Sequence, residues 1–305
     1  MRRIGFILSF FMSLVQADDL KDDILSMHQR AVVRDGFLKD RFETVLPEIM
    51  ARNKLDMWII IAREYNEDPV IRTMLPATWL NARRRTILVI HNPGKGQPLE
   101  TYAVARYDVG EVFEKAWDPE VQPDQYKALA ALIKTKDPKK IGLNKSEFFA
   151  QADGLTATEY ELFKKALPRE YQKRIVSAEQ VAIGWLETRS AKEMEVYPDI
   201  CRIAHDIIKE GFSAKVITPG ITTTDDVVWW YRERIRDLNL VTWFHPTVDI
   251  QRADKQDFNF LEAFSKDKAD NVIRPGDLLH VDFGITYLGL NTDTQQHAYA
   301  LMPGE

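Results

Sequence analysis

The sequence predicts an α/β protein, because apolar strand-like runs alternate with helix-like segments along most of its length. Residues 55–62 and 85–91 are rich in Ile and Val, and both runs have the length of buried strands. Residues 190–216 repeat apolar side chains at helical spacing and form the longest predicted helix. Two aspartates, Asp282 and Asp293, stand at strand-like runs near the end of the sequence, where carboxylates are disfavoured.

The first part of the chain predicts strands and helices in alternation. Residues 19–53 are helical in pattern, with a break near Pro47, which cannot donate a helix hydrogen bond. The later elements that the pattern predicts are strands at 101–105, 141–144 and 175–177, and helices at 124–135 and 158–166. This alternation indicates an α/β domain over residues 18–175.

The remainder, residues 176–305, has a different composition. The long helix 190–216 ends at Thr218-Pro219-Gly220, and a second helix is predicted to run from Thr222 to Leu238. Strands are predicted at 242–250 and 277–285. The polar stretch 251–271 between them is predicted to be an excursion loop.

Composition and charge exclude some classes of function. The 45% hydrophobic content is enough for a buried core. The net charge of −5 argues against a nucleic-acid partner, because such proteins usually carry a basic surface. The tightest basic run, Arg83-Arg84-Arg85, is predicted to be a solvated turn or an internal ion-pair partner rather than a binding patch.

Residues 1–17 have the pattern of a secretory signal peptide. Arg2 and Arg3 precede the apolar stretch 4–15, and Val15-Gln16-Ala17 is a typical cleavage site. The alternative is an uncleaved anchor, and no other stretch is apolar enough to cross a membrane. We therefore expect export, to a periplasm or out of the cell. The single cysteine, Cys201, excludes an internal disulfide and is expected to be an inert thiol.

The two aspartates predict a β-hairpin with one carboxylate on each arm. Gly289 and Asn291 lie between them and supply turn chemistry. If Asp282 and Asp293 share one face of the ladder, they can bind one cation together. The alternative is a pair of capping or turn aspartates, which explains their place in strand-like runs less well.

Three stretches carry a resemblance to a known family. Arg189 and Lys192-Glu193-Met194-Glu195 open the long helix, 216–222 links the two helices, and Pro275-Gly276-Asp277 precedes the spaced aspartates. Together they resemble the pita-bread metallohydrolases, the family of aminopeptidase P, prolidase, methionine aminopeptidase and creatinase. Residues 56–69 resemble the N-terminal domain of the exported bacterial Xaa-Pro aminopeptidase branch.

The resemblance implies a fold and an activity. It implies a creatinase-like N-terminal α/β domain at 18–175, followed by the first half of a pita-bread (α+β) domain at 176–305. It also implies a metallo-aminopeptidase that uses metal-activated water to cleave the bond before a proline at the second position of a peptide. Asp282 would chelate one of two divalent ions and Asp293 would bridge both. Mn²⁺ is the first expectation, with Co²⁺ or Zn²⁺ as alternatives, in a protein that forms a homodimer.

The sequence departs from the family in its ligand set. The family site has two aspartates followed by a histidine and two glutamates, one of which is the general base, and these would fall beyond residue 305. We therefore expect a chain truncated within the catalytic domain and inactive alone. Two alternatives are a non-catalytic pita-bread module that binds peptides or proteins, and a creatinase-like hydrolase that needs no metal.

Three histidines are candidates near this site. His245 is similar in type to the histidine that holds substrate in the family, and the alternative is a structural histidine. Strand parity predicts that His280 shares a face with Asp282, and His297 with Asp293. Either could support a metal ligand, although structural roles are favoured.

Overall fold

A computed structural model describes residues 20–94, 96–252 and 271–305. The expected signal peptide and nearly all of the expected 251–271 loop lie outside these residues. The helices are α1 Met27–Thr44, α2 Leu46–Arg52, α3 Pro69–Arg72, α4 Gln125–Lys136, α5 Ala157–Ala166, α6 Arg169–Gln172, α7 Glu179–Glu187, α8 Ala191–Gly211 and α9 Thr224–Asp237. Within the described ranges, no helix is both long and apolar enough to span a bilayer.

The strands form three sheets in the described part of the chain. They are β1 Met57–Arg63, β2 Arg85–His91, β3 Glu100–Ala103, β4 Glu114–Lys115, β5 Ile141–Leu143, β6 Ile175–Ser177, β7 Val241–Thr242, β8 Thr247–Gln251, β9 Leu278–Phe283, β10 Ile285–Tyr287, β11 Leu290–Asn291 and β12 Thr294–Tyr299. The six-stranded sheet has the order β4-β3-β2-β1-β5-β6. The two three-stranded sheets have the orders β11-β10-β7 and β12-β9-β8.

Strand β1 lies inside the large sheet and is covered on both faces. It pairs antiparallel with β2 and parallel with β5. Trp58 and Ile60 pack in a core with residues of α1, α2 and α7, whereas Met57 and Ile59 pack with residues of α4 and α5 on the other face. A strand buried on both faces needs a continuous apolar run, which is why the sequence predicted this strand correctly.

Helices α8 and α9 pack against the small sheets in a separate core. Helix α8 ends at Gly211, so the prediction that it continues to residue 216 was wrong. At Gly211, a Cβ atom would lie 2.3 Å from the Tyr231 ring, so α9 approaches the backbone of α8 closely there. Phe212 and Ser213 then turn the chain, and the Ser213 hydroxyl donates a hydrogen bond to the carbonyl of Glu210.

The single strand predicted at 242–250 was also wrong. The segment forms β7 and β8, which belong to different sheets. Pro246 lies between them and has no N–H to donate to a ladder, so pairing cannot continue through it. The Trp243 N–H instead donates to the carbonyl of Gly284 at 3.0 Å.

Helix α7 was missed by the sequence analysis, although its apolar residues recur at helical spacing. Val181, Ala182 and Trp185 are buried in the core that contains Trp58. Helix α7 follows β6 directly, so residues just past 175 contribute to the core of the large sheet. The domain division between 175 and 176 stays a prediction.

Candidate metal centre

The position of Asp282 follows from the alternation of strand β9. Leu279, Val281 and Phe283 are buried in the core beneath α8 and α9. Successive side chains of a strand point to opposite faces, so His280 and Asp282 lie on the other face. The local pattern thus directs a carboxylate away from the apolar core.

Asp277, of the Pro275-Gly276-Asp277 motif, fixes the turn just before β9. Asp277 is buried and accepts two hydrogen bonds from the Arg252 guanidinium, at 2.8 and 3.0 Å. Its Oδ2 also accepts from the backbone N–H of Arg274 at 2.7 Å. Gly276, with a φ of 89°, makes the preceding turn. The Pro-Gly-Asp motif therefore fixes the turn that leads into the strand bearing Asp282.

The two aspartates lie on the arms of a bent hairpin. Leu288 and Gly289 have positive φ values of 56° and 83° and form its turn. Asn291 is not a turn residue as expected: it lies in β11, and its side chain accepts from the Thr286 hydroxyl at 2.7 Å. A bend at Gly284 separates β9 from β10, and a Cβ there would lie 2.5 Å from a backbone carbonyl.

The register places the carboxylates diagonally rather than directly opposite. Asp282 pairs with Gln295 across the ladder between β9 and β12. Asp293 precedes Gln295 by two residues, so it is on the same face as Gln295 and Asp282. Diagonal neighbours on one face are about 7–8 Å apart at Cα, close enough for two side chains to reach one ion.

Asp282 has one buried carboxylate oxygen and a like-charged neighbour. Its Oδ1 is buried and has no hydrogen-bond partner among the described residues. Burial raises the pKa of Asp282, and the nearby charge of Asp293 raises it further, whereas His280 and a hydrogen bond with the Phe283 backbone act in the opposite direction. A carboxylate with a buried oxygen beside a second carboxylate is stabilised by a cation, so the two residues fit a divalent metal ion.

Two histidines and a glutamine extend this polar face. His280 and His297 pair directly across the ladder, and their ring centroids are 5.0 Å apart. His280 Nε2 is 3.2 Å from Gln295 Oε1. Gln295 was not predicted from the sequence, although its strand parity with Asp293 could have indicated it.

His245 lies on the segment between β7 and β8 and is exposed. Its Nδ1 is 3.0 Å from Arg232 Nη1, and its ring packs edge-on against Trp229 at 5.5 Å. These contacts tie it to α9. Within the described chain, no hydrogen bond joins His245 to Asp282 or Asp293, so its substrate-binding role stays a prediction.

The described residues supply a pair of candidate ligands rather than a complete site. Across 20–94, 96–252 and 271–305, no group of three or more His, Cys, Asp or Glu side chains is arranged to hold a metal ion. Two carboxylates can bind a hard divalent cation that keeps water in its other positions. This arrangement can hold and orient an ion, but it offers no third side chain to complete its coordination.

Comparison with known proteins gives a match at the level of structure. No family model matches the chain, and no curated protein matches its sequence. The X-Pro aminopeptidase from Thermotoga maritima is 15% identical, with a TM-score of 0.56 over 83% of this chain and 64% of that one. A putative aminopeptidase P from Bacillus anthracis is 12% identical, with a TM-score of 0.57 over 86% and 65%. A variant of Escherichia coli aminopeptidase P is 12% identical, with a TM-score of 0.55 over 91% and 63%.

The chain has the fold of these peptidases. The predicted fold class, an N-terminal α/β part followed by pita-bread architecture, is confirmed. The chain spans less than two thirds of the length of each of these three structures. At identities of 12–15% the match establishes the architecture, and the activity of this chain has to be argued from its own residues.

Proposed function

We propose that this chain belongs to a metal-dependent aminopeptidase that cleaves the peptide bond before a proline. The observation that carries the proposal is the buried, unpartnered Oδ1 of Asp282 next to Asp293 on one sheet face. The support from the fold is that similar structures are named X-Pro aminopeptidase and aminopeptidase P. The fold supports the architecture of the proposal, and the aspartate pair supports its metal dependence.

The proposed roles follow from the geometry of the hairpin. Asp282 and Asp293 would hold divalent ions, with Mn²⁺ expected first and Co²⁺ or Zn²⁺ as alternatives, and bound ions of this kind polarise a carbonyl and activate water. Asp282 is fixed by its strand, whereas Asp293 is exposed and joins the site from the end of the β11–β12 connection. Gln295 and His280 hydrogen-bond beside them and would orient groups that approach the ions.

The proposal also covers the substrate, the assembly and the cellular destination of the protein. A peptide with proline at its second position is the proposed substrate, a homodimer is the proposed assembly, and export is the proposed destination. The first two are supported by the resemblance, and the third by the pattern of residues 1–17. Because the chain supplies two of the five ligands that the resemblance implies, we expect the 305-residue polypeptide to show no turnover by itself.

Calorimetric titration of the purified chain with MnCl₂ tests the aspartate pair. We expect binding that weakens at least tenfold in Asp282→Asn and in Asp293→Asn, because each change removes a charged ligand. Asp199→Asn is the matched control, since Asp199 is an exposed carboxylate on α8 paired only loosely with Arg202 at 3.9 Å. Equal Mn²⁺ affinity in wild type and in a variant that combines Asp282→Asn with Asp293→Asn would rule out this pair as the metal site.

An activity assay tests the expectation that the chain shows no turnover by itself. The 305-residue chain is incubated with Mn²⁺ and a dipeptide that has proline at its second position, and release of the N-terminal residue is followed. No release is expected, whereas turnover by this chain would show that five protein ligands are not required. If the chain binds the peptide but does not bind Mn²⁺, the result would favour the non-catalytic binding module instead.

A further inference from the structure

A basic cleft lies on the six-stranded sheet, far along the chain from Asp282. Its volume is about 820 Å³. Arg63 ends β1 and pairs across the ladder with Arg85, which begins β2. Arg84 precedes that strand, and Arg106 follows β3 by a few residues. The strand order thus gathers five arginines at one end of the sheet: Arg63, Arg83, Arg84, Arg85 and Arg106.

These arginines outnumber the carboxylates near them. Glu159 is buried, and its two oxygens lie 2.6 and 3.4 Å from nitrogens of Arg85. Arg85 is therefore the internal ion-pair partner that the sequence suggested. Glu64 lies 3.9 Å from Arg84, whose side chain is 87% exposed, so that contact is weak. Five guanidinium groups face two carboxylates, in a chain whose net charge is −5.

Two of the arginines are held by aromatic rings rather than by acids. The Arg83 guanidinium lies 4.4 Å from the Trp79 ring centroid and 5.6 Å from that of Tyr107. The Arg106 guanidinium lies 5.9 Å from the Trp117 ring centroid. Within the described residues, no carboxylate forms an ion pair with Arg83 or Arg106. A cation–π contact does not use the guanidinium N–H groups, so they stay available to an oxyanion.

The size of the cleft narrows the choice of ligand. Small-molecule sites commonly have volumes of about 300–1,000 Å³, and this cleft lies in that range. A planar guanidinium binds phosphate or carboxylate oxygens through two parallel hydrogen bonds. We propose that the cleft binds a small polyvalent oxyanion, of the phosphate or carboxylate class, through Arg83 and Arg106. This site is independent of the proposed peptidase activity, and it differs from the sequence-based prediction that the Arg83–Arg85 run is not a binding patch.

Calorimetric titration of the 305-residue chain at low ionic strength tests the proposal, with pyrophosphate and citrate as the two probes. We expect at least one probe to bind with a dissociation constant below a millimolar, and added salt to weaken it. Binding of pyrophosphate alone assigns the phosphate class, and binding of citrate alone assigns the carboxylate class. If neither probe binds at millimolar concentration, the proposal is overturned.

Substitutions then locate the binding. The double change Arg83→Gln with Arg106→Gln is expected to weaken binding by at least about tenfold, because charge-assisted contacts are the stronger hydrogen bonds. Arg236→Gln is the matched control, since Arg236 is an exposed arginine on α9 outside the cleft, and it should change the affinity less than twofold. Arg83→Lys keeps the charge but loses the planar fork, so weaker binding is expected there too. Equal affinity in the double variant and the control would overturn the site, and an unchanged melting temperature excludes misfolding as the cause.

Discussion

Replacing Glu193 by alanine should destabilise the protein strongly, because it would leave a buried guanidinium without its counter-ion. Glu193 Oε2 accepts a hydrogen bond from Arg41 Nη1 at 2.8 Å, and both side chains are less than a tenth exposed. Burial lowers the pKa of Arg41 even though Glu193 opposes this effect. The protein therefore bears a desolvation cost at Arg41 that the ion pair with Glu193 offsets in large part.

The loss in the free energy of unfolding can be estimated from the contacts that the Glu193 side chain makes. Breaking a buried ion pair by removing one partner costs about 3–5 kcal/mol. Arg41 would keep hydrogen bonds to the carbonyls of Thr188 and Trp185, which favours the lower end of that range. Glu193 also completes the capping box of α8 by accepting from the Ser190 N–H at 2.7 Å, and losing this one hydrogen bond costs about 1 kcal/mol. The expected total is about 4 kcal/mol, a large part of the roughly 5–15 kcal/mol that stabilises a typical domain.

Urea denaturation, followed by tryptophan fluorescence, measures the loss as a lower midpoint. Glu195→Ala is the matched control, because Glu195 is exposed on the same helix and should shift the free energy of unfolding by no more than about 0.5 kcal/mol. Glu193→Gln keeps an acceptor for the helix cap and removes only the charge, so it separates the contribution of the ion pair from that of the capping hydrogen bond. If Glu193→Ala and Glu195→Ala unfold at the same urea concentration, the buried pair is not a major stabilising contact.

Two further predictions concern backbone space and pH. Gly284→Ala should cost about 1–3 kcal/mol, since its Cβ would lie 2.6 Å from the Phe244 ring. The same change at the exposed helical residue Gly36, where nothing lies within 4 Å, should stabilise by about 0.5–1 kcal/mol, and equal melting temperatures for the two variants would contradict this reasoning. Burial raises the pKa of Glu100, but hydrogen bonds from Lys136 and His91 outweigh it, so the pKa is lowered. Glu100→Gln should therefore cost about 0.5–1 kcal/mol at neutral pH, and its difference from wild type should shrink as the pH falls below the ordinary glutamate value of about 4.5, because the stabilisation needs an ionised carboxylate. A difference that is constant between pH 3 and pH 7 in thermal unfolding would contradict it.

The elements that the sequence predicted well are those whose signal is local. Strands β1 and β2 are buried on both faces, and such strands need unbroken apolar runs that a reader of the sequence can see. Parity within β9 likewise placed His280 and Asp282 on one face. No local signal in the sequence marked the end of α8, because the close approach of Tyr231 to Gly211 depends on how two helices pack.

In the candidate site, too, local features were predictable from the sequence and tertiary contacts were not. The presence of two carboxylates on one hairpin was visible in the sequence, but their diagonal register depends on the bend at Gly284 and the turn at Leu288. The pairing of Glu193 with Arg41 joins residues 152 positions apart. No periodicity reveals such a contact, so the sequence marked Glu193 as part of a motif without showing its structural role.

The buried oxygens without partners sharpen the case for Asp282. In the part of the chain that the structure describes, the buried side-chain atoms that lack a hydrogen bond are Asp40 Oδ2 and Asp282 Oδ1. Asp40 has a compensating charge, because its other oxygen lies 3.0 Å from Lys192 Nζ. Asp282 has the charge of Asp293 as a neighbour, which makes its ionised form less stable. Of these two unpartnered oxygens, Asp282 Oδ1 is the one whose carboxylate lies beside a like charge, which destabilises the protein, and such local destabilisation is typical of sites that bind a ligand. A cation would remove both the missing partner and the repulsion at once, so a single ligand explains the two anomalies together.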